Sequence, residues 1–295
     1  MKKMRLIVNP FTGTAKLQKH LCTILKMFSE AGYETTVYFT QSKGDGARYA
    51  KENAAESDLL VCCGGDGTLN EVAGGLLEVD PAVCPKLGYI PAGTCNDFAS
   101  SLEIPLDAVA AAKRILKGRS TPLDIGSFHG RQFMYVASFG AFTEASYSTP
   151  QAMKNTLGHF AYVLKGVTSI KDIKPYHAKF EVNGKTYEDD YIFASVSNST
   201  SIAGIVKLDR ALVDLSDGLF EIALVKKPKN LAGLMDIAKA VLEKNLNSEY
   251  ITLLHASSVT FSSDEDIPWT LDGEFDPGAG KVEILNRHHA LHFAI

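Results

Sequence analysis

No uninterrupted apolar run in this 295-residue chain approaches the roughly 18–20 residues that a membrane-spanning helix needs, so a helical membrane protein is excluded. The basic start Met1-Lys2-Lys3-Met4-Arg5 is followed only by Leu6-Ile7-Val8 before Asn9-Pro10, too short for the apolar region of a signal peptide. Cysteine is scarce. Its five copies (Cys22, Cys62, Cys63, Cys84, Cys95) are odd in number and show no C-x-x-C spacing, which argues against a disulfide framework or a zinc site and for reduced thiols in a cytoplasmic protein. An excess of positive charge is also missing: 30 Lys and Arg stand against 34 Asp and Glu, a net charge of −4, which leaves no electrostatic footprint for nucleic acid. Internal repeats and low-complexity segments are absent. What remains is an ordinary globular composition, 45% hydrophobic and 22% charged, in a chain long enough for two domains.

The first 120 or so residues alternate strand and helix patterns. Arg5–Val8, Thr35–Phe39, Leu59–Cys63 and Leu87–Ile90 read as strands. Between them, Leu17, Leu21, Ile24, Leu25 and Phe28 recur at helical spacing, as do Ala47, Ala50 and Ala54, and then Leu69, Val72, Ala73, Leu76 and Leu77. A further helix is predicted from about Leu106 to Lys117, with Asp107 near its start and Gly118 as its stop. This alternation predicts a parallel sheet flanked by helices, a fold whose ligands bind beyond the carboxyl ends of the strands. From Thr121-Pro122 onward strands and hairpins dominate: Ile125–Phe128 with Phe133–Ser138 across His129-Gly130, and Tyr176–Val182 with Lys185–Glu188 across Asn183-Gly184. Tyr191–Val196, Leu219–Val225, Ile251–Leu254, Ser258–Phe261 and Lys281–Leu285 are further strands, interrupted by helices near Gln151–Lys171 and Asn230–Lys244. The expected architecture is an α/β N-terminal domain over 1–122, with 287–295 available to complete it, a β-rich domain over 123–286, and a cleft between them.

The chemistry gathers in loops at strand ends. Gly64-Gly65-Asp66-Gly67-Thr68-Leu69-Asn70-Glu71 follows a buried strand and opens a helix, an arrangement that lets backbone N–H groups and the positive helix end meet phosphate oxygens. Asn9-Pro10-Phe11-Thr12-Gly13, Thr40 and Gly93-Thr94-Cys95-Asn96-Asp97 end neighbouring strands. Gly65, Gly67 and Thr68 are assigned to phosphate contact. For Asn9 and Asn96, direct contact and loop bracing through side-chain to backbone bonds stand side by side. Asp66 either holds a catalytic Mg²⁺ through water or fixes the glycine loop by accepting backbone bonds, and Glu71 also suits a first helical turn on electrostatic grounds alone.

Taken together, these loops and the stretch Pro91-Ala92-Gly93-Thr94-Cys95-Asn96-Asp97-Phe98-Ala99 resemble the diacylglycerol kinase catalytic-domain family, which includes bacterial lipid kinases and the sphingosine kinases. Lys154, Gly158, Ala161 and Tyr162 resemble that family's K-x-x-x-G-x-x-A-Y helix, and Asp217-Gly218-Leu219 and Leu271-Asp272-Gly273-Glu274 its two late acidic motifs. The resemblance implies that the first-domain loops face ATP. It implies that the general base lies in the D-G-E element, with Asp272 and Glu274 as the candidates. It further implies a structural Mg²⁺ held by Asp217 and by main-chain oxygens of Asp214 and Leu219, with Asp124 joining through water, although Ser216 stands where the family carries another acid. Without the family, an acidic turn between strands is the simpler reading of the D-G-E element, while a surface turn at Asp217 and a strand-start aspartate at Asp124 stand beside the metal reading.

The function this predicts is ATP- and Mg²⁺-dependent phosphoryl transfer to the hydroxyl of a membrane lipid alcohol, diacylglycerol giving phosphatidic acid, by a cytoplasmic protein that contacts the inner membrane face peripherally. The alternatives are an NAD kinase-like or phosphofructokinase-like enzyme with a soluble acceptor, which shares the G-G-D-G-[TS] loop, and an inactive nucleotide-binding module. An edge strand in the second domain offers a pairing surface for a homodimer. His288, His289 and His292 are assigned no ligand role, while Phe139, Phe142 and Tyr147 suit either plain core or an acyl pocket.

Overall fold

The computed structural model describes residues 1–12, 14–94, 96–140, 174–199, 201–202, 206–207, 214–243 and 246–295. The predicted helix Gln151–Lys171, with Phe142, Tyr147, Gly13 and Cys95, lies outside the described residues. The chain divides into two compact units, Met1–Asp124 with His289–Ile295, and Ile125–His288, and so passes from one to the other twice.

The first unit runs β1 (Lys2–Val8), α1 (Thr14–Glu30), β2 (Tyr33–Phe39), α2 (Asp45–Asn53), β3 (Leu59–Gly64), α3 (Asp66–Leu77), β4 (Lys86–Pro91), α4 (Asp97–Ser101) and α5 (Ala108–Lys117). Its strands lie in the order β2-β1-β3-β4, all parallel, and Phe293 from the end of the chain pairs parallel with Leu87. The continuous apolar run of β3 is buried at every residue, as a strand covered on both faces requires. α1 packs on α5 and α2 on α3. The right-handed crossover rule puts α1, which leads away from β3, on the face opposite α2 and α3. Asp107 caps α5 by accepting from the Ala110 N–H at 2.8 Å, and Arg114 and Lys117 sit in its last turn, where the helix dipole favours cations.

The α2–α3 contact is close enough to need glycine. A Cβ on Gly75 would stand 2.2 Å from the Ala47 carbonyl oxygen. Gly75→Val is therefore expected to force the two helices apart and cost about 1–3 kcal/mol or more, read as a lower urea midpoint of unfolding.

The second unit is built on β5 (Ser120–Phe128), which begins in the first unit, then β6 (Arg131–Phe133), β7 (Val136–Gly140), β8 (Tyr176–Val182), β9 (Lys185–Ser197) and the short ribbon β10 (Ser201–Ile202) with β11 (Val206–Lys207). β12 (Phe220–Lys226), α6 (Leu231–Leu242), β13 (Ile251–Ala256), β14 (Ser258–Ser262), β15 (Trp269–Leu271), β16 (Glu274–Asp276) and β17 (Lys281–Ala294) complete it, β17 ending in the first unit. The strands run β16-β15-β7-β9-β8-β14-β17, with β12 paired to β9 and to β13. Three two-residue turns set registers: His129-Gly130, Asn183-Gly184 and Asp272-Gly273 each place both residues at positive φ, the type I′ geometry that matches strand twist. The core is aromatic. Phe139 lies 6.2 Å from Phe180, 5.7 Å from Phe261 and 4.9 Å from Trp269, ring centre to ring centre, so Phe139 belongs to plain core.

Three boundaries differ from expectation. Phe133–Ser138 is not one strand but breaks at Met134-Tyr135, whose N–H groups bond a distant carboxylate instead of a ladder partner. Lys185–Glu188 and Tyr191–Val196 fuse into the single 13-residue β9, because β8 pairs with its first half and β7 and β12 with its second. Lys281–Leu285 extends to Ala294, where the chain re-enters the first unit.

Candidate active site

In the first unit the strand order reverses between β1 and β3: the chain steps from β1 out to β2, returns past β1 to β3, and steps the other way to β4. Such a switch point opens a crevice at the carboxyl ends of the strands. Asn9 ends β1 and donates from Nδ2 to the Thr68 hydroxyl at 3.0 Å, while its Oδ1 accepts from the Phe11 N–H at 3.0 Å. Its carbonyl accepts from the Thr12 hydroxyl at 3.2 Å, so the loop Asn9, Pro10, Phe11, Thr12 folds on one asparagine. Phe11 itself is exposed. At the end of β2, Thr40 is buried and its N–H reaches the Val8 carbonyl at 2.9 Å.

The glycine loop and the loop after β4 are pressed together. A Cβ on Gly93 would lie 2.5 Å from Gly65 Cα, and the Ala92 N–H donates to the Gly64 carbonyl at 2.8 Å. Asn96 accepts from the Gly93 N–H at 2.9 Å and donates to the Gly93 carbonyl at 2.8 Å, a bracing role that its burial and its positive φ of 55° also fit. Below it, burial pushes the Tyr89 hydroxyl up, keeping it a donor to the Gly64 carbonyl at 3.2 Å. By contrast a Cβ on Gly67 would meet nothing within 4 Å, and Gly65, which precedes α3, offers that helix no side-chain cap. Thr94 and Asp97 are exposed on the facing loop, and Asn70 is half-buried on α3.

Asp66 ties the two loops together. Its oxygens accept from the N–H groups of Asp97 and Phe98, both at 3.2 Å, and so hold the start of α4. Burial raises its carboxyl above the ordinary aspartate value, opposed by those N–H groups. A raised value in the folded state means the native protein binds this proton more tightly than the unfolded chain does. The contribution is present below the unfolded pKa and is lost as pH rises through the folded one. Asp66→Asn removes that titration, so urea unfolding at acid and at neutral pH is expected to give a variant whose stability relative to wild type improves as pH rises. The same relative stability at both pH values would contradict it. Glu71 braces a different helix. It accepts from the N–H groups of Gly44 and Gly46 at 3.0 and 3.2 Å and holds the start of α2.

In the second unit Asp272 occupies the first turn position between β15 and β16, and its carboxylate folds back onto the β6–β7 break. It accepts from the N–H of Met134, and from those of Tyr135 and Val136 at 3.0 Å. Glu274, first residue of β16, is exposed and pairs with Arg131 at 3.0 Å. The same guanidinium reaches Asp276 at 2.9 Å and the Phe275 carbonyl at 3.1 Å, clamping β16 to β6. Asp272 and Glu274 thus leave the turn for different partners.

The four expected metal residues are divided. Asp124 belongs to the first unit, where it is buried and accepts from the His289 N–H at 2.8 Å. Asp214, Asp217 and Leu219 belong to the second. Asp214 accepts from the Ser216 N–H at 3.0 Å and Asp217 from the Leu219 N–H at 2.8 Å, each closing a local turn with one oxygen and keeping a second. The donors are all oxygen, which suits a hard cation such as Mg²⁺. Gly218 turns at a φ of 80°, with the His288 ring 3.2 Å from where its Cβ would stand.

Sequence patterns gave no sign of Arg131 or Tyr89. Arg131 follows an ordinary His-Gly turn, and Tyr89 sits among apolar strand residues.

The first unit thus carries a strand-end crevice with a glycine loop at a helix start, and the second unit by itself fixes the Asp272 carboxylate. A family model for the diacylglycerol kinase catalytic domain matches residues 3–128, and one for the YegS C-terminal NAD kinase beta sandwich-like domain matches residues 136–287. A diacylglycerol kinase of Bacillus subtilis (strain 168) is 37% identical over 295 residues, covering 99% of this chain and 96% of the relative. One of Staphylococcus aureus (strain MRSA252) is 35% identical, covering 97% of this chain and 91% of the relative. A crystal structure of a candidate diacylglycerol kinase from Bacillus anthracis superposes with a TM-score of 0.82 at 28% identity, covering 99% of this chain and 96% of that one. The chain belongs to the diacylglycerol kinase catalytic-domain family. Among the described residues no helix is long and apolar enough to cross a membrane.

Proposed function

We propose that this protein is an ATP- and Mg²⁺-dependent lipid kinase that phosphorylates the free hydroxyl of diacylglycerol to give phosphatidic acid, meeting its acceptor by peripheral contact with the inner membrane face. The observation that carries the reading is the open phosphate crevice of Gly65, Gly67 and Thr68 in a chain 37% identical to a diacylglycerol kinase.

In this reading the first N–H groups of α3 and the Thr68 hydroxyl hold the phosphates of ATP, with Asn9 orienting Thr68. Asn96, Asp66 and Tyr89 keep the two loops at a fixed spacing and contribute rigidity. The lipid oxygen bonds to the γ-phosphorus as the bond from that phosphorus to the β–γ bridging oxygen breaks, and ADP leaves. Asp272 takes the hydroxyl proton. Three N–H groups fix its orientation for that role. Glu274, exposed and held through Arg131, shapes the rim of the same turn. Mg²⁺, when bound, neutralises charge on the transferring group. Both Asp66 oxygens already accept N–H groups, so Asp66 would serve such an ion through water, and Asp217 with the main chain near Asp214 and Leu219 would hold a structural one.

The test is an acceptor panel with γ-labelled ATP and Mg²⁺: diacylglycerol, sphingosine and plain alcohols in mixed micelles, and NAD in solution. Label in phosphatidic acid is expected. Label in NAD alone would move the protein to the soluble-acceptor kinases, and ATP bound without turnover on any acceptor would make it a nucleotide-binding module.

A further inference from the structure

The strands β15, β7, β9 and β12 lie side by side with opposite faces of opposite character. On one face Leu271, Ala137, Val196 and Ile222 stand in register and join the aromatic core. On the other face the register partners are Thr270, Ser138 and Ser195 in one row, and Val136, Ser197 and Glu221 in the next. All but Val136 are polar, and all six are buried. At its far end this face turns apolar again, where Phe193 and Val225 pack against Leu234 and Ile237 of α6.

Burying hydroxyls and a carboxyl on a strand face is costly unless each finds a partner. Ser197 does, donating to the Glu221 carbonyl at 3.2 Å. Ser195, fully buried, has no hydrogen-bond partner for its Oγ, and Glu221, 4% exposed, has none for its Oε2, among the described residues. Two unpartnered polar atoms thus lie on adjacent strands of one face, available to a hydrogen-bonding ligand. The site also has a place relative to the chemistry. The Val136 N–H holds the Asp272 carboxylate, and Ser138 is two residues along the same strand, with Ser195 directly across from it. Strand geometry puts Ser195 on the order of 9 Å from Val136. That is within reach of a glycerol acylated next to its free hydroxyl.

We infer that Ser195 and Glu221, a diagonal pair across β9 and β12, bind the ester-bearing glycerol end of the acceptor, with the Ser195 hydroxyl donating to an acyl ester carbonyl. This rests on the lipid-kinase reading and deepens it. The buried Glu221 carboxyl beside Ser195 selects for an uncharged, hydrogen-bonding head and against anionic lipids. Apolar chains need no such groups, so the pair specifies ester lipids and not long alcohols in general. Retaining an unpartnered hydroxyl in a strand interior weakens the fold, which is the usual mark of a group kept for binding.

The experiment compares dioleoylglycerol with its dialkyl ether analogue, identical in shape but without the carbonyls, in mixed micelles with wild type, Ser195→Ala and Glu221→Gln. Wild type is expected to favour the ester in kcat/KM by about 10-fold, the effect of one ligand hydrogen bond to a site that is otherwise left unpaired. Ser195→Ala is expected to lose that preference, with the ester rate falling toward the ether rate. Its midpoint of thermal unfolding should hold or rise, since alanine removes an unpartnered hydroxyl. Glu221→Gln should weaken the rejection of anionic lipids added as competitors. Equal losses on ester and ether, an unchanged ester preference, or a midpoint several degrees lower would each overturn the inference. If wild type phosphorylates neither lipid, the lipid-kinase reading itself falls. If it phosphorylates both equally, only the role of this pair is refuted.

Discussion

Replacing Asp272 by asparagine is expected to lower phosphoryl transfer about 10²–10⁴-fold, the usual loss when a positioned general base is removed. The amide matches the carboxylate in size but cannot take the lipid proton. It also turns an NH₂ group toward donors: Asp272 now accepts from three N–H groups at Met134, Tyr135 and Val136, and asparagine offers only one acceptor oxygen. A stability loss of about 1–3 kcal/mol should accompany the lost activity, since at least one N–H at the β6–β7 break is left without its partner. Glu274→Gln provides the contrast. Its ion pair with Arg131 is half-exposed, and Arg131 keeps Asp276 and the Phe275 carbonyl, so stability should change by less than about 1 kcal/mol and transfer by only a few-fold. Steady-state rates at saturating ATP, with urea unfolding of the same samples, separate the two effects. The reverse ranking, with Glu274→Gln inactive and Asp272→Asn active, would move the base to Glu274.

The second large effect is expected at Gly93. Alanine there places a methyl group 2.5 Å from Gly65 Cα and 2.9 Å from the Asn96 oxygen. Neither side yields easily, because the Gly93 N–H and carbonyl are both bonded to Asn96, and Gly65 opens α3. The two loops must separate, at about 1–3 kcal/mol. Because that separation spoils the phosphate crevice, ATP affinity should fall roughly 10–100-fold. Gly67→Ala is the companion, since its Cβ meets nothing within 4 Å of the protein. It should leave unfolding unchanged and, if the proposed phosphate contact holds, still weaken ATP by placing a methyl group in its way. Calorimetric titration with a non-hydrolysable ATP analogue reads both. Normal affinity in Gly67→Ala would remove that glycine from the phosphate contacts.

Much of this site is legible in the sequence where the cause is local. The run Leu59–Cys63 ending in glycines predicts a buried strand opening into a helix, and β3 and α3 are that. Asp107 before an alanine-rich stretch predicts a capped helix, and its side chain makes the cap. Asn183-Gly184 predicts a tight hairpin for the reason that both residues tolerate positive φ. The site's less visible parts depend on partners far along the chain. Phe133-Met134-Tyr135-Val136 reads as one strand because nothing nearby marks a break, and the carboxylate that satisfies its N–H groups arrives with Asp272. Glu71 and Asp66 sit in a motif that suggests ligands, yet their carboxylates bond N–H groups of α2 and α4 that only folding brings near. The alternation Ala194-Ser195-Val196-Ser197 does mark a strand with two unlike faces, but which face is buried depends on its neighbours.

The central claim is that ATP held by the glycine crevice gives its γ-phosphoryl group directly to a lipid hydroxyl. Rapid-quench single turnover of wild type with γ-labelled ATP, Mg²⁺ and diacylglycerol micelles follows the label through one cycle. The account predicts that phosphatidic acid gains label at the rate ATP loses it, with inorganic phosphate at background. Label accumulating as inorganic phosphate while the lipid stays unlabelled would contradict it.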